Sequence, residues 1–216
     1  MSSLLPPAFH LVPLDREVDA FERALRAAPR GADHGTLFWT RRADRLEMAV
    51  VCEPELPSGR ALESLYVLTI AAGEVLRETL PAALPIAYAW PGDLILAGAR
   101  TGRSRMALAP TADPTGVPPW LVLGLEIALG RSLLDPAPLL TRIAERFLAW
   151  QQRWLEQGLE PVRAAWNARC HQRGEPGALA LAGRRITGTI DGLDAQGALR
   201  VGEHRLALGD VLDRLA

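Results

Sequence analysis

The 216-residue chain carries 24 basic and 25 acidic residues, so its formal net charge at pH 7 is −1. A nearly balanced charge creates no long-range attraction to an anionic polymer or surface, and we expect neither nucleic acid nor a membrane as partner. Every basic residue other than histidine is an arginine, because the sequence contains no lysine. Two cysteines make a disulfide framework improbable, and the residues after Met1 lack a signal-peptide pattern, so we expect a cytoplasmic protein.

The part of the chain up to Ala128 predicts a mixed layer of helices and strands. Prolines punctuate residues 1–14, and Asp15 is expected to cap a first helix. The apolar positions of that helix follow a 3.6-residue period at Val18, Phe21, Leu25 and Ala28. A second apolar stripe, from Leu62 to Leu76, predicts a helix that ends before Pro81. Strands are predicted over residues 36–39, 46–52, 86–90, 94–97, 103–109 and 120–128, with a loop at 113–116.

The rest of the chain predicts two more helices and then a change of character. Asp135 and Pro136 form a helix start, and the long helix after them stops at Gly158. A further helix is expected from Pro161. Short alternating strands at 178–182, 186–193, 198–201 and 204–208 predict a small barrel. We therefore expect an α/β fold, a mixed sheet flanked by helices, in a domain of residues 1–175, followed by a β-barrel domain of residues 176–216.

The turn Trp90-Pro91-Gly92-Asp93 is the strongest local feature of the sequence. Proline fixes its own φ and disfavours helix at the preceding residue, so a stiff turn presents the Asp93 carboxylate ahead of an apolar strand. That is one way to hold an acid at a pocket wall. The alternative is that Asp93 only accepts hydrogen bonds from neighbouring backbone N–H groups.

Four other side chains are candidates for ligand binding. Arg100, Arg103 and Arg105 form a cluster that attracts anions, and Arg103 and Arg105 share a strand face. The alternative is an edge strand protected by charge. Trp39 is suited to stacking on a base or a bicyclic ring, although a core tryptophan is the other interpretation. We expect no metal site formed by protein ligands alone, because Cys170 and His171 are adjacent and point in different directions.

Several stretches resemble the biotin and lipoate protein ligase family, in the family's order. The family's Trp-Pro-Asn-Asp turn and following strand are similar to residues 90–96, and its Gly-x-Gly-x-Asn strand is similar to residues 124–128. A late helical motif resembles residues 158–166, and a hairpin of the family's C-terminal barrel resembles residues 192–199. Together these stretches cover most of the chain from about Leu62 onward.

The resemblance implies a mixed sheet flanked by helices and a C-terminal SH3-like barrel. It also implies a two-step reaction. Biotin or lipoate first attacks ATP, with Mg²⁺ at the phosphates, to give an acyl-adenylate, and the acyl group then passes to a lysine of an acceptor carrier protein. With the candidates above, the predicted catalytic residues are Asp93 and Arg100. The predicted ligand-binding set is Trp39, Trp90, Gly92, Arg103, Arg105 and Gly124.

The departures from the family pattern concern charge. No arginine run lies at residues 31–36, the lysine expected before the tryptophan is Ala89, and the lysine expected after the strand falls near Arg100. We therefore predict a divergent member, a pseudoenzyme whose adenylation is weak or lost. The alternatives are an atypical active ligase that uses Arg100 and Asp93, and a non-catalytic module that docks a carrier protein. The acid bound and the oligomeric state, for which a homodimer is one alternative, stay open.

Overall fold

The computed structural model describes residues 5–111, 115–130, 134–181 and 183–215 of the chain. Asp113 and Pro114 of the predicted loop, and Ala182 at the end of a predicted strand, lie outside these residues. None of the helices in the described ranges is both long and apolar enough to cross a membrane.

Seven strands form the main sheet, in the order β1-β2-β3-β7-β6-β5-β4. They are β1 His10–Leu14, β2 Thr36–Thr40, β3 Arg45–Cys52, β4 Ile86–Ala89, β5 Asp93–Leu96, β6 Ala99–Leu108 and β7 Leu121–Ala128. All neighbouring strands are antiparallel except β1 and β2, which are parallel. The mixed sheet expected from the sequence is therefore present.

Helices cover the two faces of this sheet unequally. They are α1 Ala20–Ala27, α2 Ser58–Ala61, α3 Ser64–Thr79, α4 Pro136–Gln157, α5 Leu159–Asn167 and α6 Leu212–Leu215. The main core packs α3 and α4 against alternate β3 residues such as Leu46, Met48 and Val50. A smaller core packs Phe21 and Ala24 of α1 against the intervening residues. We call the two sides of the sheet the α3 face and the α1 face.

The N-terminal prediction was wrong in two respects. Asp19, rather than Asp15, caps α1, because its Oδ1 accepts the Glu22 N–H at 2.9 Å. Asp15 instead closes a turn, in which its carbonyl accepts the Val18 N–H at 3.0 Å and Val18 stays exposed. The proline-punctuated segment contains β1, which tolerates its proline because it is an edge strand of the sheet.

The predictions for the second half are confirmed more closely. Asp135 caps α4 by accepting the Ala137 N–H at 3.0 Å, Pro136 is the first helical residue, and the helix ends at Gly158. The next helix begins at Leu159, so the predicted start at Pro161 falls within its first turn. One face of α4 is apolar and buried, at Leu139, Ile143, Phe147, Trp150 and Trp154.

The C-terminal strands form a separate sheet in the order β11-β10-β9-β8. They are β8 Pro176–Leu181, β9 Arg184–Leu193, β10 Leu199–Val201 and β11 His204–Leu206. In the described ranges no pairing joins β11 to β8, so the structure shows an open sheet and not the closed barrel that we expected. This sheet is tied to α5 by Asn167, whose Nδ2 donates to the Leu193 carbonyl at 2.9 Å and whose Oδ1 accepts the Leu193 N–H at 2.7 Å.

Candidate functional site

One row of polar side chains crosses the α1 face of the main sheet. The strand register pairs Thr40 with Glu47, Glu47 with Glu126, Glu126 with Arg103, and Arg103 with Asp93. Directly paired residues project from the same face, and strands lie about 4.8 Å apart, so these five residues span roughly 19 Å. We call them the charged row.

Helix α1 covers one end of the charged row. The Ala20 N–H donates to Glu47 Oε1 at 3.0 Å, and the Thr40 hydroxyl lies 3.2 Å from the same oxygen. A Cβ atom at Gly124 would overlap the ring of Phe21. The guanidinium carbon of Arg105 lies 4.2 Å from the centre of that ring. The space above Gly124, where the sequence predicts a ligand, is therefore filled by the chain's own Phe21.

Replacing Gly124 by alanine should lower the free energy of unfolding by about 1–3 kcal/mol, because the added methyl group overpacks the contact with Phe21. Urea unfolding measures this loss. Gly59 is the matched control, since no atom lies within 4 Å of a Cβ added there. In a Phe21→Leu background the cost of Gly124→Ala should fall, and an equal cost in both backgrounds would contradict the proposed clash.

The other end of the charged row is open. It borders a cleft of about 390 Å³. The lining comprises Trp90, Pro91, Asp93, Arg100, Arg103, Leu179, Ala180 and Val211. A second recess of about 230 Å³ shares Arg100 and Arg103 with this cleft and extends to Glu126. Both the main sheet and the C-terminal segment therefore contribute to the walls.

The turn that carries Asp93 is held from behind. The peptide bond between Trp90 and Pro91 is cis. The carbonyl of Gly92 accepts the Ser104 N–H at 2.8 Å, and a Cβ at Gly92 would lie 3.1 Å from that of Ser104. The Trp90 indole Nε1 donates to the Tyr66 hydroxyl at 3.0 Å. Asp93 is thus presented to the cleft by a turn whose neighbours are packed and hydrogen-bonded.

Asp93 is a half-buried carboxylate beside two guanidinium groups. Its side chain is 22% exposed, and its Oδ2 lies 3.7 Å from Arg100 Nη1. Burial raises the pKa of Asp93 above its usual value, while Arg100 and Arg103 only partly counter that effect. The protonated form of Asp93 is therefore more accessible than that of an exposed aspartate.

The arginines of the α1 face are largely neutralised by the chain itself. The shortest carboxylate contacts of four of them are Arg45 to Glu126 at 2.7 Å, Arg105 to Asp19 at 3.2 Å, Arg42 to Glu47 at 3.4 Å and Arg100 to Asp93 at 3.7 Å. An anionic ligand has to compete with these carboxylates. The face therefore offers less net positive charge than its arginines alone suggest.

The structure brings together some of the predicted site residues and separates others. Trp90, Asp93, Arg100 and Arg103 line one cleft, and Gly92 lies in the turn directly behind it. Trp39 is next to Thr40 on β2 and so projects to the opposite face, where it packs against the main core. Arg105 and Gly124 lie beneath α1.

Sequence reasoning missed three charged residues of this face, Arg45, Glu47 and Glu126. Glu47 and Glu126 are each a single carboxylate inside a mostly apolar strand. Because a buried acid requires a partner, this pattern could have indicated a polar site on the sheet. His34, in the loop before β2, accepts the Glu53 N–H at Nδ1, at 3.0 Å. Burial raises the pKa of the Cys170 thiol to about 11, so it is protonated at neutral pH.

The described residues contain no group of three or more His, Cys, Asp or Glu side chains that could hold a metal ion. Mg²⁺ is commonly bound by one or two carboxylates together with the phosphate oxygens of a substrate. Asp93 could therefore bind Mg²⁺ only together with the phosphate oxygens of a substrate. Arg100 and Arg103, which line the same cleft, are the groups that would contact a carboxylate or a phosphate there.

Comparison with known proteins gives consistent matches. Residues 5–137, more than half of the chain, match the sequence model of the biotin/lipoate A/B protein ligase family. A biotin–[acetyl-CoA-carboxylase] ligase of Paracoccus denitrificans is 26% identical over 184 residues, which are 74% of this chain and 75% of that protein. The family match begins before Leu62 and ends before the late stretches at 158–166 and 192–199, so it does not extend to those two resemblances.

Solved structures resemble nearly the whole chain. A biotin protein ligase-like protein of unknown function from a Silicibacter species has a TM-score of 0.85 and 30% identity, covering 98% of this chain and 99% of that one. The biotin protein ligase of Aquifex aeolicus, in complex with biotin and ATP, has a TM-score of 0.75 and 17% identity, covering 93% and 97%. At 17% identity, the similarity to the Aquifex aeolicus ligase shows a shared fold and no more.

Proposed function

Since the chain belongs to the biotin/lipoate A/B protein ligase family, we propose that the cleft beside Asp93 binds a small carboxylic acid or the phosphates of a nucleotide, with adenylation weak or lost. Biotin, lipoate and ATP with Mg²⁺ are the ligands to test first. The observation that carries the proposal is that Asp93, Arg100 and Arg103 line one open cleft. The Aquifex aeolicus structure, which contains biotin and ATP, supports this kind of ligand.

Weak adenylation follows from the charge balance of the α1 face. Attack of a carboxylate on the α-phosphate of ATP brings together two anionic groups, and enzymes offset this with preorganised positive charge. Here Arg42, Arg45, Arg100 and Arg105 already contact carboxylates of the chain. Losing one donor at a developing charge lowers the rate by about 10²–10³. An anion can still bind, but the charge left to stabilise the reaction is small.

An active, atypical ligase is the second candidate. It is favoured by the placement of a half-buried carboxylate and two guanidinium groups in the same cleft. In that case Asp93 would share Mg²⁺ with the phosphates, Arg100 would contact the reacting acid, and the acyl group would pass to a lysine of a carrier protein. The name of the Paracoccus denitrificans relative includes acetyl-CoA carboxylase as its protein target, which supports an acceptor protein as partner.

Docking of a carrier through an open strand edge is the third candidate. The edge of β4 is partly used within the chain, because the Tyr88 N–H donates to the Arg169 carbonyl and the Tyr88 carbonyl accepts the His171 N–H, both at 2.8 Å. Edge pairing would therefore be easier at β1. We further propose that residues 176–216, with their open four-stranded sheet, are a second domain and that the protein acts in the cytoplasm.

Calorimetry with biotin, lipoate, octanoate and ATP tests the cleft directly. Arg100→Ala should weaken binding of the preferred ligand by about tenfold, the lower end of what a charged hydrogen bond contributes. Arg163→Ala is the control, because Arg163 pairs with Glu160 on α5 and does not line the cleft. The absence of heat with every acid and nucleotide would contradict the proposal.

Asp93→Asn separates the first two candidates. If the cleft binds an anion without metal, removing the competing carboxylate should strengthen binding. If Asp93 shares Mg²⁺ with ATP, the same change should weaken ATP binding and abolish pyrophosphate exchange. Because the pKa of Asp93 is raised, anion binding to the unsubstituted protein should also strengthen as the pH falls toward that pKa. This increase should be missing in Asp93→Asn.

A further inference from the structure

We propose that a second site, on the α3 face, binds a small organic cation with an apolar body. The site is a pocket of about 220 Å³ between the C-terminal half of α4 and residues 53–56, near the end of β3. It shares none of its lining residues with the cleft at Asp93. The inference is therefore independent of the function proposed above.

The floor of this pocket is apolar. It is formed by Cys52, Leu121, Leu123 and Phe147, which are almost completely buried. Burial raises the pKa of the Cys52 thiol to about 12, so the thiol is neutral and acts as a small apolar group. Such a floor favours a hydrocarbon or an aromatic ring over a polar ligand.

One wall carries an apolar side chain that nothing in the described chain covers. Leu155 lines the pocket and is 54% exposed, although large apolar side chains of α4 such as Phe147 and Trp154 are almost fully buried. Trp154 also lines the pocket, and its Nε1 is already used in a 2.7 Å hydrogen bond to Glu63. The indole ring and Leu155 thus provide two apolar walls above the floor.

The rim of the pocket is negative. The exposed carboxylates of Glu53 and Glu55 line it, and no arginine is among its described lining residues. His34 also lies at the rim, with its Nδ1 occupied by the Glu53 N–H. A positively charged group is attracted to such a rim and a carboxylate is repelled. The charge is opposite to that of the cleft lined by Arg100 and Arg103, so the two sites select ligands of opposite sign.

Calorimetry with 2-phenylethylamine, phenylacetate and ethylamine tests the assignment. We expect saturable binding of 2-phenylethylamine, binding of phenylacetate at least about tenfold weaker, and no heat with ethylamine, which lacks the ring. The double change Glu53→Gln and Glu55→Gln should remove most of the preference for the amine over the carboxylate. Leu155→Ser should weaken amine binding severalfold, and Arg100→Ala should leave it unchanged.

Ala61→Leu supplies a variant that fills the pocket, because Ala61 lines it and is almost completely buried. It should abolish amine binding while its thermal unfolding stays cooperative. Unchanged amine binding by a folded Ala61→Leu protein, or equal affinities for the amine and phenylacetate, would overturn the assignment. If Ala61→Leu does not fold, the Leu155→Ser and double glutamine variants decide the question, since Leu155, Glu53 and Glu55 are exposed.

Discussion

Replacing Trp166 by alanine should lower the free energy of unfolding by about 3–5 kcal/mol, as expected for deleting a large, fully buried side chain. The Trp166 ring lies 6.0 Å from that of Tyr66 in an edge-to-face arrangement and 6.5 Å from that of Tyr88. These contacts join α5 to α3 and to β4. Urea unfolding followed by circular dichroism measures the loss.

Trp166→Phe is the matched control for the packing argument. The indole Nε1 of Trp166 is buried and has no hydrogen-bond partner in the part of the chain that the structure describes. Phenylalanine keeps one ring and removes this N–H, whose burial without a partner costs about 1–3 kcal/mol. We therefore expect less than half of the loss seen with alanine. Equal losses for the two variants would indicate that the N–H has an acceptor and that Trp166 contributes more than packing.

Elements marked by local chemistry could be predicted from the sequence. The start of α4 depends on Asp135 and Pro136 and its end on Gly158, and all three signals lie within a few residues of the helix. In the N-terminal segment the prediction named Asp15 as the cap, whereas the structure shows that Asp19, four residues later, caps α1. The parallel pairing of β1 with β2 is set by distant contacts, so the sequence of β1 does not show it.

The candidate site could be predicted only in part, because some of its features are local in sequence and others depend on distant pairing. The turn at Trp90 and Asp93 is local and could be recognised in the sequence, and the structure places it in one cleft with Arg100 and Arg103. The charged row depends on the register of five strands, which no stretch of sequence contains. Side chains alternate along β2, so Trp39 and Thr40 must lie on opposite faces of the sheet. The alternation does not tell which of the two lies on the α1 face, where the cleft is.

The filling of the α1 face by Phe21 has the largest consequence for function. Phe21 occupies the space above Gly124, so the ring system of a ligand cannot lie there. The remaining cleft is bounded by arginine, aspartate and the Trp90 turn. Such a cleft suits the anionic part of a ligand better than its apolar part. The family fold is thus retained, while α1 packs over one end of the charged row and a carboxylate contacts Arg100 at the other.

Replacing Tyr66 by phenylalanine should cost about 2–6 kcal/mol of unfolding free energy and should also weaken ligand binding at the cleft. The Tyr66 hydroxyl is buried, donates to the Gly197 carbonyl at 2.8 Å and accepts the Trp90 Nε1–H at 3.0 Å. Its loss leaves two buried polar groups unsatisfied, each costing about 1–3 kcal/mol. The same hydroxyl links the turn that carries Asp93 to the C-terminal sheet, so the turn loses one of its supports.

Tyr88→Phe is the matched control, because Tyr88 is also buried and also packs against Trp166, yet its hydroxyl makes no hydrogen bond to a described residue. It should change the free energy of unfolding by less than about 1 kcal/mol, since no buried partner is left unsatisfied. Urea unfolding and calorimetry with the preferred ligand of the cleft give both readouts for each variant. A Tyr66→Phe protein as stable as Tyr88→Phe would show that the hydroxyl does not hold the turn. If Tyr66→Phe lost stability but bound the ligand unchanged, Tyr66 would support the fold alone and would not position the site.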